Sequence, residues 1–520
     1  MSRPLRLIPQ FAQSIEFSCP LCGSDHAAYI FGTDRFRIFR CAGCALTFSR
    51  PPARATALGA PQPSSSRTFT RDVRQQSGFL AAFDAASIEG AILVLADDQD
   101  NLVDAVKRRG MKIERLVSGD DLETGEWDGP FAAAIVTDEL MRVANPLAVL
   151  SEIHRRLRPG ASLLLSVPLL DAQQARIMGR NWHEWQASNR WYFTRETLHL
   201  LLLSAGFECV QFKQERRTYS LNNLSDRLHV VSDLAIWMHG VKALRRIAPG
   251  KLRDREFPLP SGTAVVTATA VQKRQDCVVS IIVPVFNERA TLQTMMDTLL
   301  AKPLEGARKE IIVVESNSTD GSRELVQGYA HHPDVKILLQ QAPRGKGYAV
   351  REGITAATGD ILMIQDADLE YDIDDYDGLL APLMSWQSMF VLGSRHQGGW
   401  KMRKFNDAPL TAAIFNLGHG FFRSVINTLL NTRMTDPFTM YKLFRRDAIY
   451  NLELVCNRFD FDIELVMKLI RKGYIPLELP VNYAARSFAE GKKVSFTRDG
   501  MAWLWTILKL RFCSLEPERR

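Results

Sequence analysis

Short blocks of consecutive apolar residues alternate along most of this chain with longer stretches in which apolar positions recur every three or four residues. The first series runs through AILVL at 91–95, a helical stretch at 101–109, a strand at 113–117 and an apolar run at 132–136. It continues with a helix at 145–157, a strand at 162–167, a helix at 194–205 closed by Gly206, and strands at 207–212 and 262–271. Apolar runs this short suit strands buried on both faces, and strand and helix in turn predict a parallel, doubly wound α/β sheet. Arg158, Pro159 and Gly160 are expected at a helix end feeding the 162–167 strand, and residues 221–247 read as helical but outside the alternation. The rhythm restarts at Cys277, with strands at 278–284, 310–315, 335–339 and 360–364, each ending in a polar turn, and a helix at 290–300. Residues 51–67, rich in Pro, Ser and Ala with no apolar period, read as a linker. The expected domains are therefore 15–50, 70–272 and 277–512.

Composition narrows the class. The 520 residues are 46% hydrophobic and 24% charged, which fits two or three globular domains and excludes collagen, coiled coil and wholesale disorder. The apolar runs fall far short of the roughly 18 residues a membrane-spanning helix needs. Residues 1–17 carry Arg3 and Arg6 but no apolar signal core, so the expected location is the cytoplasm. A net charge of +7 is too diffuse to indicate nucleic acid, yet it is compatible with anionic substrates or lipid headgroups.

Four of the eight cysteines form a pattern: Cys19 and Cys22 in CPLC, Cys41 and Cys44 in CAGC. Each CxxC puts two thiolates on one tight knuckle, and two knuckles complete a tetrahedral sulfur shell suited to Zn2+. Disulfides are the alternative, which a reducing compartment disfavours. A closed four-thiolate shell has no open position, so this metal is expected to staple a ribbon rather than do chemistry.

The ribbon, with HRRLRPGASLLLSVP and NRWYFTRETLHLLLLSAGFECV, resembles class I S-adenosylmethionine-dependent methyltransferases that carry an N-terminal zinc ribbon. The resemblance implies a Rossmann-like sheet. It departs from the family at residues 96–101, where a glycine-rich turn is replaced by Ala-Asp-Asp-Gln-Asp-Asn. Three carboxylates there would crowd and repel the carboxylate of S-adenosylmethionine, so a degenerate domain acting as scaffold or docking module is expected instead of methyl transfer. Trp182, His183, Trp185, Trp191 and Tyr192 read as core packing beside a sheet edge, with a pocket lining as the alternative.

The third unit carries the candidate chemistry. Asp366 and Asp368, one residue apart just past the apolar strand ILMI, can share a hard divalent cation such as Mg2+ or Mn2+. An Asp-x-Asp alone is a weak signal; its position at the carboxyl end of a parallel strand strengthens it, because open α/β sheets bind ligands there. The loop from Ser316 to Ser322, including Asp320, reaches the same rim, and Arg344 and Lys346, flanked by glycines, offer donors to phosphate.

VSIIVPVFNE, IIVVESNSTDGS, RGKGYAVREGI, GDILMIQDADLEYD and VLGSRH together resemble glycosyltransferase family 2 with the GT-A fold, over about 230 residues. The resemblance implies a nucleotide-diphosphate sugar donor and inversion at the anomeric carbon. It places Pro284, Phe286 and Glu288 beside the nucleotide, Glu315 at the base, and Asp366 and Asp368 at ribose and metal; in the mechanism expected from these pieces Lys346 and Arg395 offset the diphosphate charge. Ser316 stands where many members have a second acid. The downstream part is similar to the polyprenyl-phosphate branch, including dolichyl-phosphate mannose synthase: Asp436-Pro437, residues 459–464, and a late basic segment at 485–493 with altered spacing. A lipid phosphate is already an anionic nucleophile, whereas a glycan hydroxyl needs a base, for which Asp436, Asp460 and Asp462 are available. Each of these acids alternatively caps a turn or pairs with Arg445 or Arg446. Residues 501–512, with tryptophans and flanking Lys509 and Arg511, suit either a bilayer interface or a helix docked on its own domain. Residues 410–430, with Phe415, Phe421, Phe422 and His419, are open to the same two readings. The sequence thus leads to a cytoplasmic enzyme, peripheral on the inner membrane face if the first alternative holds, acting in cell-envelope or surface-glycan assembly.

Overall fold

The computed structural model of the chain describes residues 17–33, 35–50, 77–86, 88–96, 106–109, 113–117, 130–219, 246, 257–272, 276–396, 409–484 and 496–515. The linker at 51–67, the glycine-free turn past residue 96, most of the 101–109 helix, the 221–247 segment apart from residue 246, and the basic segment at 485–493 lie outside the described residues. So do the side chains of Phe415 and Trp503. The chain divides into two compact units, Met1–Lys273 and Arg274–Arg520.

The first unit begins with an antiparallel ribbon of β1 (Ala27–Gly32), β2 (Arg37–Cys41) and β3 (Thr47–Arg50). The alternating segment follows: α1 (Ser77–Ala85), β4 (Ile92–Leu95), β5 (Ile113–Val117), β6 (Phe131–Val136), α2 (Pro146–Arg156), β7 (Leu157–Pro168) and α3 (Gln173–Met178). It ends with β8 (Trp191–Tyr192), α4 (Arg195–Ala205), β9 (Phe207–Tyr219) and β10 (Phe257–Ala270). Local chemistry sets the helix ends. Asn145 Oδ1 accepts from the Leu147 and Ala148 amides with Pro146 in the first turn, and Thr194 forms a reciprocal cap with Thr197. Gly206 closes α4 at φ +103°, a left-handed position where a side chain would be strained.

The six-stranded sheet has the order β5-β4-β6-β7-β10-β9. β5, β4, β6 and β7 are parallel, as the alternation predicts, but β10 runs antiparallel to both its neighbours. The expected helix end at Arg158 to Gly160 is instead the start of β7. The strand follows α2 directly, and an irregularity between Phe131 and Ala133 takes up the extra residues. β8 pairs with β3, so the aromatic cluster joins the ribbon to the rest of the unit. Trp182, Trp191 and Tyr192 are buried. Trp185 lies 5.2 Å from the Phe31 ring and 4.4 Å from Tyr192, in keeping with packing rather than a pocket.

The second unit contains β11 (Cys277–Val285), α5 (Arg289–Ala301), β12 (Ala307–Glu315), α6 (Ser322–Gly328), β13 (Val335–Leu339), α7 (Lys346–Ala356), β14 (Ile361–Ile364) and α8 (Tyr376–Met384). It continues with β15 (Phe390–Ser394), α9 (Pro409–Leu430), β16 (Lys442–Arg445), α10 (Phe461–Lys472), β17 (Leu477–Pro480) and α11 (Phe496–Phe512). Seven strands form one sheet, β13-β12-β11-β14-β16-β15-β17. Within it β16 alone runs against its neighbours. Alternate residues of β11 face opposite sides: Val279, Ile281 and Val283 pack with Leu292, Met295 and Leu299 of α5, while Ile282 meets α7. β11 runs on through Pro284, which was expected to stop it. Its pairing with β14 ends at Ile282, so the proline's missing N–H costs no bond on that side. Among the described residues, no helix is long and apolar enough to cross a membrane.

Candidate active site

Strand direction assembles the site. The carboxyl ends of β11, β12, β13, β14 and β15 share one rim of the sheet, and because β16 is reversed, the turn before it returns to that same rim. This brings the 286–288, 316–322, 340–346 and 365–368 loops together with Arg395 and Asp436.

Two loops are tied by their own polar groups. Asp320 accepts from the Arg289 amide (3.1 Å) and from the Ser322 amide and hydroxyl, so it fixes the starts of α5 and α6. Burial opposes its charge, but these donors outweigh burial and lower its pKa. Asn287 Oδ1 accepts from the Thr319 amide, and the Glu288 amide donates to Ser322 Oγ. Glu315 is fully buried: Oε1 accepts from the Ser318 amide at 2.6 Å and Oε2 lies 2.9 Å from Arg323 Nη1. Its carboxylate therefore braces the loop that follows β12. Phe286 is exposed and Pro284 half-buried on the same rim.

The acidic pair has a different environment. Thr291 Oγ1 donates to Ala367 O at 2.9 Å, pinning the Asp366–Asp368 turn to α5. Asp366 forms an ion pair with Lys346, and Asp368, 7% exposed, accepts from the Glu370 amide. Burial works against the Lys346 ammonium, yet Asp366, Asp462 and Asp368 outweigh it and hold its pKa above the ordinary lysine value. Lys346 stands at the start of α7 behind Gly345, whose φ of +103° and close approach to Asn457 O leave no room for a side chain. Arg344 instead points to Tyr348, donating to its hydroxyl at 2.8 Å. Two carboxylates from one turn are hard oxygen donors that fit Mg2+ or Mn2+, and two ligands alone leave most of such a shell to a diphosphate and water.

The candidate bases are already engaged. Asp436, fully buried, accepts from Arg395 Nε at 2.7 Å, Arg395 Nη2 at 2.8 Å and the Arg395 amide at 3.1 Å, and lies 3.2 Å from His419 Nε2. Burial alone would raise its pKa, but the Arg395 charge outweighs burial and holds it well below the usual carboxylate range. Asp462 lies 3.1 Å from Nζ of the fully buried Lys442. Asp460 Oδ1 accepts from the Arg458 amide. None of the three has the expected Arg445 or Arg446 as its partner in these bonds; Arg445 stacks on Trp386 and donates to Leu383 O. His396 lies beside His419, ring centres 5.1 Å apart.

Two further acids hold backbone turns; Glu478 escaped the sequence reading, and Glu464 ends the 459–464 segment noted there. Glu478 on β17 accepts from the Thr435 and Asp436 amides, and buried Glu464 on α10 accepts from the Val455 and Cys456 amides. Glu478 is a single acid in an apolar segment, which is the one signal the sequence offers for it.

In the first unit, the Cys19, Cys22, Cys41 and Cys44 sulfurs all lie within 4.8 Å of one another, with Cys19 3.5 Å from Cys44 and Cys22 3.6 Å from Cys41. A tetrahedral Zn2+ with bonds of about 2.3 Å separates its sulfurs by about 3.8 Å, so the cluster fits that ion and these separations are too long for disulfides. Hydrogen bonding to the Cys19 sulfur draws the Cys22 thiol down to about 7.

Residues 280–452 match the family described as "Glycosyl transferase family 2", and residues 61–212 match one described as "Methyltransferase domain". A dolichol-phosphate mannosyltransferase from Mycosarcoma maydis is 30% identical over 226 residues, covering 41% of this chain and 72% of the relative. A dolichyl-phosphate beta-glucosyltransferase from Trichomonas vaginalis is 29% identical over 250 residues, 45% of this chain and 72% of the relative. Among solved structures, glucosyl-3-phosphoglycerate synthase from Mycobacterium tuberculosis, in complex with Mn2+, UDP-glucose and phosphoglyceric acid, is 17% identical. It covers 45% of this chain and 80% of that chain with a TM-score of 0.34. The family model and the dolichol-phosphate relative make the second unit a sugar transferase, and the first carries a methyltransferase-like domain behind a four-cysteine ribbon. The chain belongs to glycosyltransferase family 2.

Proposed function

We propose that the second unit transfers a sugar, with inversion, from a nucleotide-diphosphate donor to a polyprenyl phosphate, for cell-envelope or surface-glycan assembly. The observation that carries this reading is the state of the candidate bases: Asp436 is locked to Arg395, Asp462 pairs with Lys442, and Asp460 is engaged by the Arg458 amide. A glycan hydroxyl would need one of them free to take its proton, whereas a phosphate oxygen attacks without a base. The names of the two dolichyl-phosphate relatives support the same acceptor.

In this reading Pro284, Phe286, Glu288 and the loop braced by Glu315 and Asp320 receive the nucleotide, and Asp366 and Asp368 hold Mg2+ or Mn2+. That ion would offset charge on the departing diphosphate. Lys346 and Arg395 offset the remaining phosphoryl charge, with Arg344 at the loop's outer edge, and they orient acceptor and donor for in-line attack. The four cysteines hold Zn2+ as a structural staple, and the methyltransferase-like domain serves as a scaffold without S-adenosylmethionine.

The acceptor implies a membrane surface. α11 buries Ile507 and Leu510 and is tied inward by Arg511 Nε to Leu429 O, while Trp505, Leu508 and Phe512 face outward beside Lys509. That outer face suits peripheral docking on anionic lipid at the cytoplasmic side. The test is incubation with radiolabelled UDP- and GDP-sugars plus undecaprenyl phosphate. Label in the organic phase is expected; label only on a soluble glycan acceptor would replace this reading with hydroxyl transfer.

A further inference from the structure

The Arg395–Asp436 pair is held from behind by a residue outside the rim. Two consecutive amides, Thr435 and Asp436, need acceptors in a turn that belongs to no strand or helix. Both find the carboxylate of Glu478: Thr435 N lies 2.9 and 2.7 Å from its two oxygens, and Asp436 N lies 2.8 Å from Oε1. Glu478 sits on β17 opposite Leu392 of β15, two residues before Ser394, so the strand that delivers Arg395 and the strand that delivers Glu478 are hydrogen-bonded neighbours. With its backbone fixed, Asp436 takes the Nε and Nη2 edge of the guanidinium and does not use the Nη1 edge. Tyr483 lies against the Arg395 guanidinium, 5.2 Å from ring centre to Cζ, and limits its swing.

We infer that Glu478 is a positioning residue for the transfer reaction: by anchoring the Thr435–Asp436 turn it aims Arg395 at an anionic phosphoryl group. This rests on the reading above that Arg395 meets phosphate during transfer. A carboxylate suits the task better than an amide, because a glutamine with its oxygen at the Oε1 position would turn its NH2 group toward the Thr435 N–H donor. An error there passes through Asp436 to a guanidinium that binds phosphate by a fixed fork, where small misplacements are costly.

The test is a double-mutant cycle in the full chain: Glu478→Gln, Arg395→Lys and the pair, with Glu478→Asp as the conservative variant and thermal unfolding of each. For sugar transfer to undecaprenyl phosphate, Glu478→Gln is expected to lower kcat/KM about tenfold, Glu478→Asp to recover part of the loss, and Glu478→Gln to add less than about twofold once Arg395 is Lys. A rise in the KM of undecaprenyl phosphate assigns Arg395 to the acceptor, and a rise in that of the nucleotide sugar assigns it to the donor; either supports the inference. Equal losses in both backgrounds, or a loss that tracks melting temperature with both KM values unchanged, overturn it. If the parent protein moves no label to undecaprenyl phosphate, the acceptor reading has failed. The same four proteins are then titrated with UDP and Mn2+ by calorimetry, where coupling between positions 478 and 395 upholds the inference and additivity overturns it.

Discussion

Asp436→Asn separates a structural ion pair from a catalytic base. The substitution keeps the shape of the side chain and removes its charge, leaving the Arg395 guanidinium, 5% exposed, without its partner. Breaking a buried pair from one side costs about 3–5 kcal/mol, and the low end applies here because the asparagine oxygen still accepts one bond. For a unit of this size roughly 2–4 °C of melting temperature corresponds to each kcal/mol, so a fall of about 6–12 °C is expected at pH 7. The sign with pH follows from the depressed carboxyl pKa. A carboxylate held below its unfolded value of about 3.9 contributes its full stability above that pH and loses it as pH falls through the folded value. The gap between parent and variant should therefore be widest near neutrality and close toward acid. Differential scanning calorimetry of both proteins from pH 7 down to the limit of solubility reads it. If Asp436→Asn melts within about a degree of the parent at pH 7 yet loses transfer, Asp436 is a base in waiting and the case for an anionic acceptor falls.

Other perturbations have equally definite outcomes. At Gly347 an added Cβ would sit 2.5 Å from Phe461 Cβ and 2.8 Å from two backbone carbonyls, so Gly347→Ala must shift the start of α7 and with it Lys346. Nucleotide affinity by calorimetry should drop about tenfold, and unchanged affinity would remove Lys346 from the phosphate site. Cys44→Ser should lose the zinc that elemental analysis is expected to find at one equivalent in the parent, and retention of a full equivalent would exclude the four-sulfur site. Trp505→Glu and Phe512→Glu alter side chains that are 71% and 80% exposed, so they should leave folding intact. Together they should release the protein from phosphatidylglycerol vesicles in a flotation assay; equal flotation would place lipid contact elsewhere.

Four strands of the second unit's sheet, β11, β12, β13 and β14, were legible because each is a short apolar run ending in a polar turn, whereas β15, β16 and β17 were not read as strands. ILMI followed by Asp366-Ala367-Asp368 announces both a buried parallel strand and the place where its ligands point. What the sequence hides is partnership. Asp436, Asp460 and Asp462 look alike as acids near turns; only the reversed direction of β16 brings Asp436 back to Arg395, 41 residues away in the chain. Glu315, which the resemblance places at the base, gives no hint in the sequence that it is fully buried with Arg323 and the Ser318 amide closed around it. The reversal of β10 was likewise invisible, since an antiparallel strand buried on both faces carries the same apolar run as a parallel one. Glu478 illustrates the limit: its task is to accept from backbone amides, which carry no signature in side-chain chemistry.

Whether Asp366 and Asp368 grip the donor can be read in a single assay. The full chain and Asp368→Ala are each incubated with Mn2+, radiolabelled nucleotide sugar and undecaprenyl phosphate, and organic-phase label is counted over time. Label should accumulate with the parent and fall at least a hundredfold with the variant, the scale expected when a group stabilising the leaving charge is removed. Label that accumulates equally with Asp368→Ala would contradict the assignment of this rim as the catalytic centre.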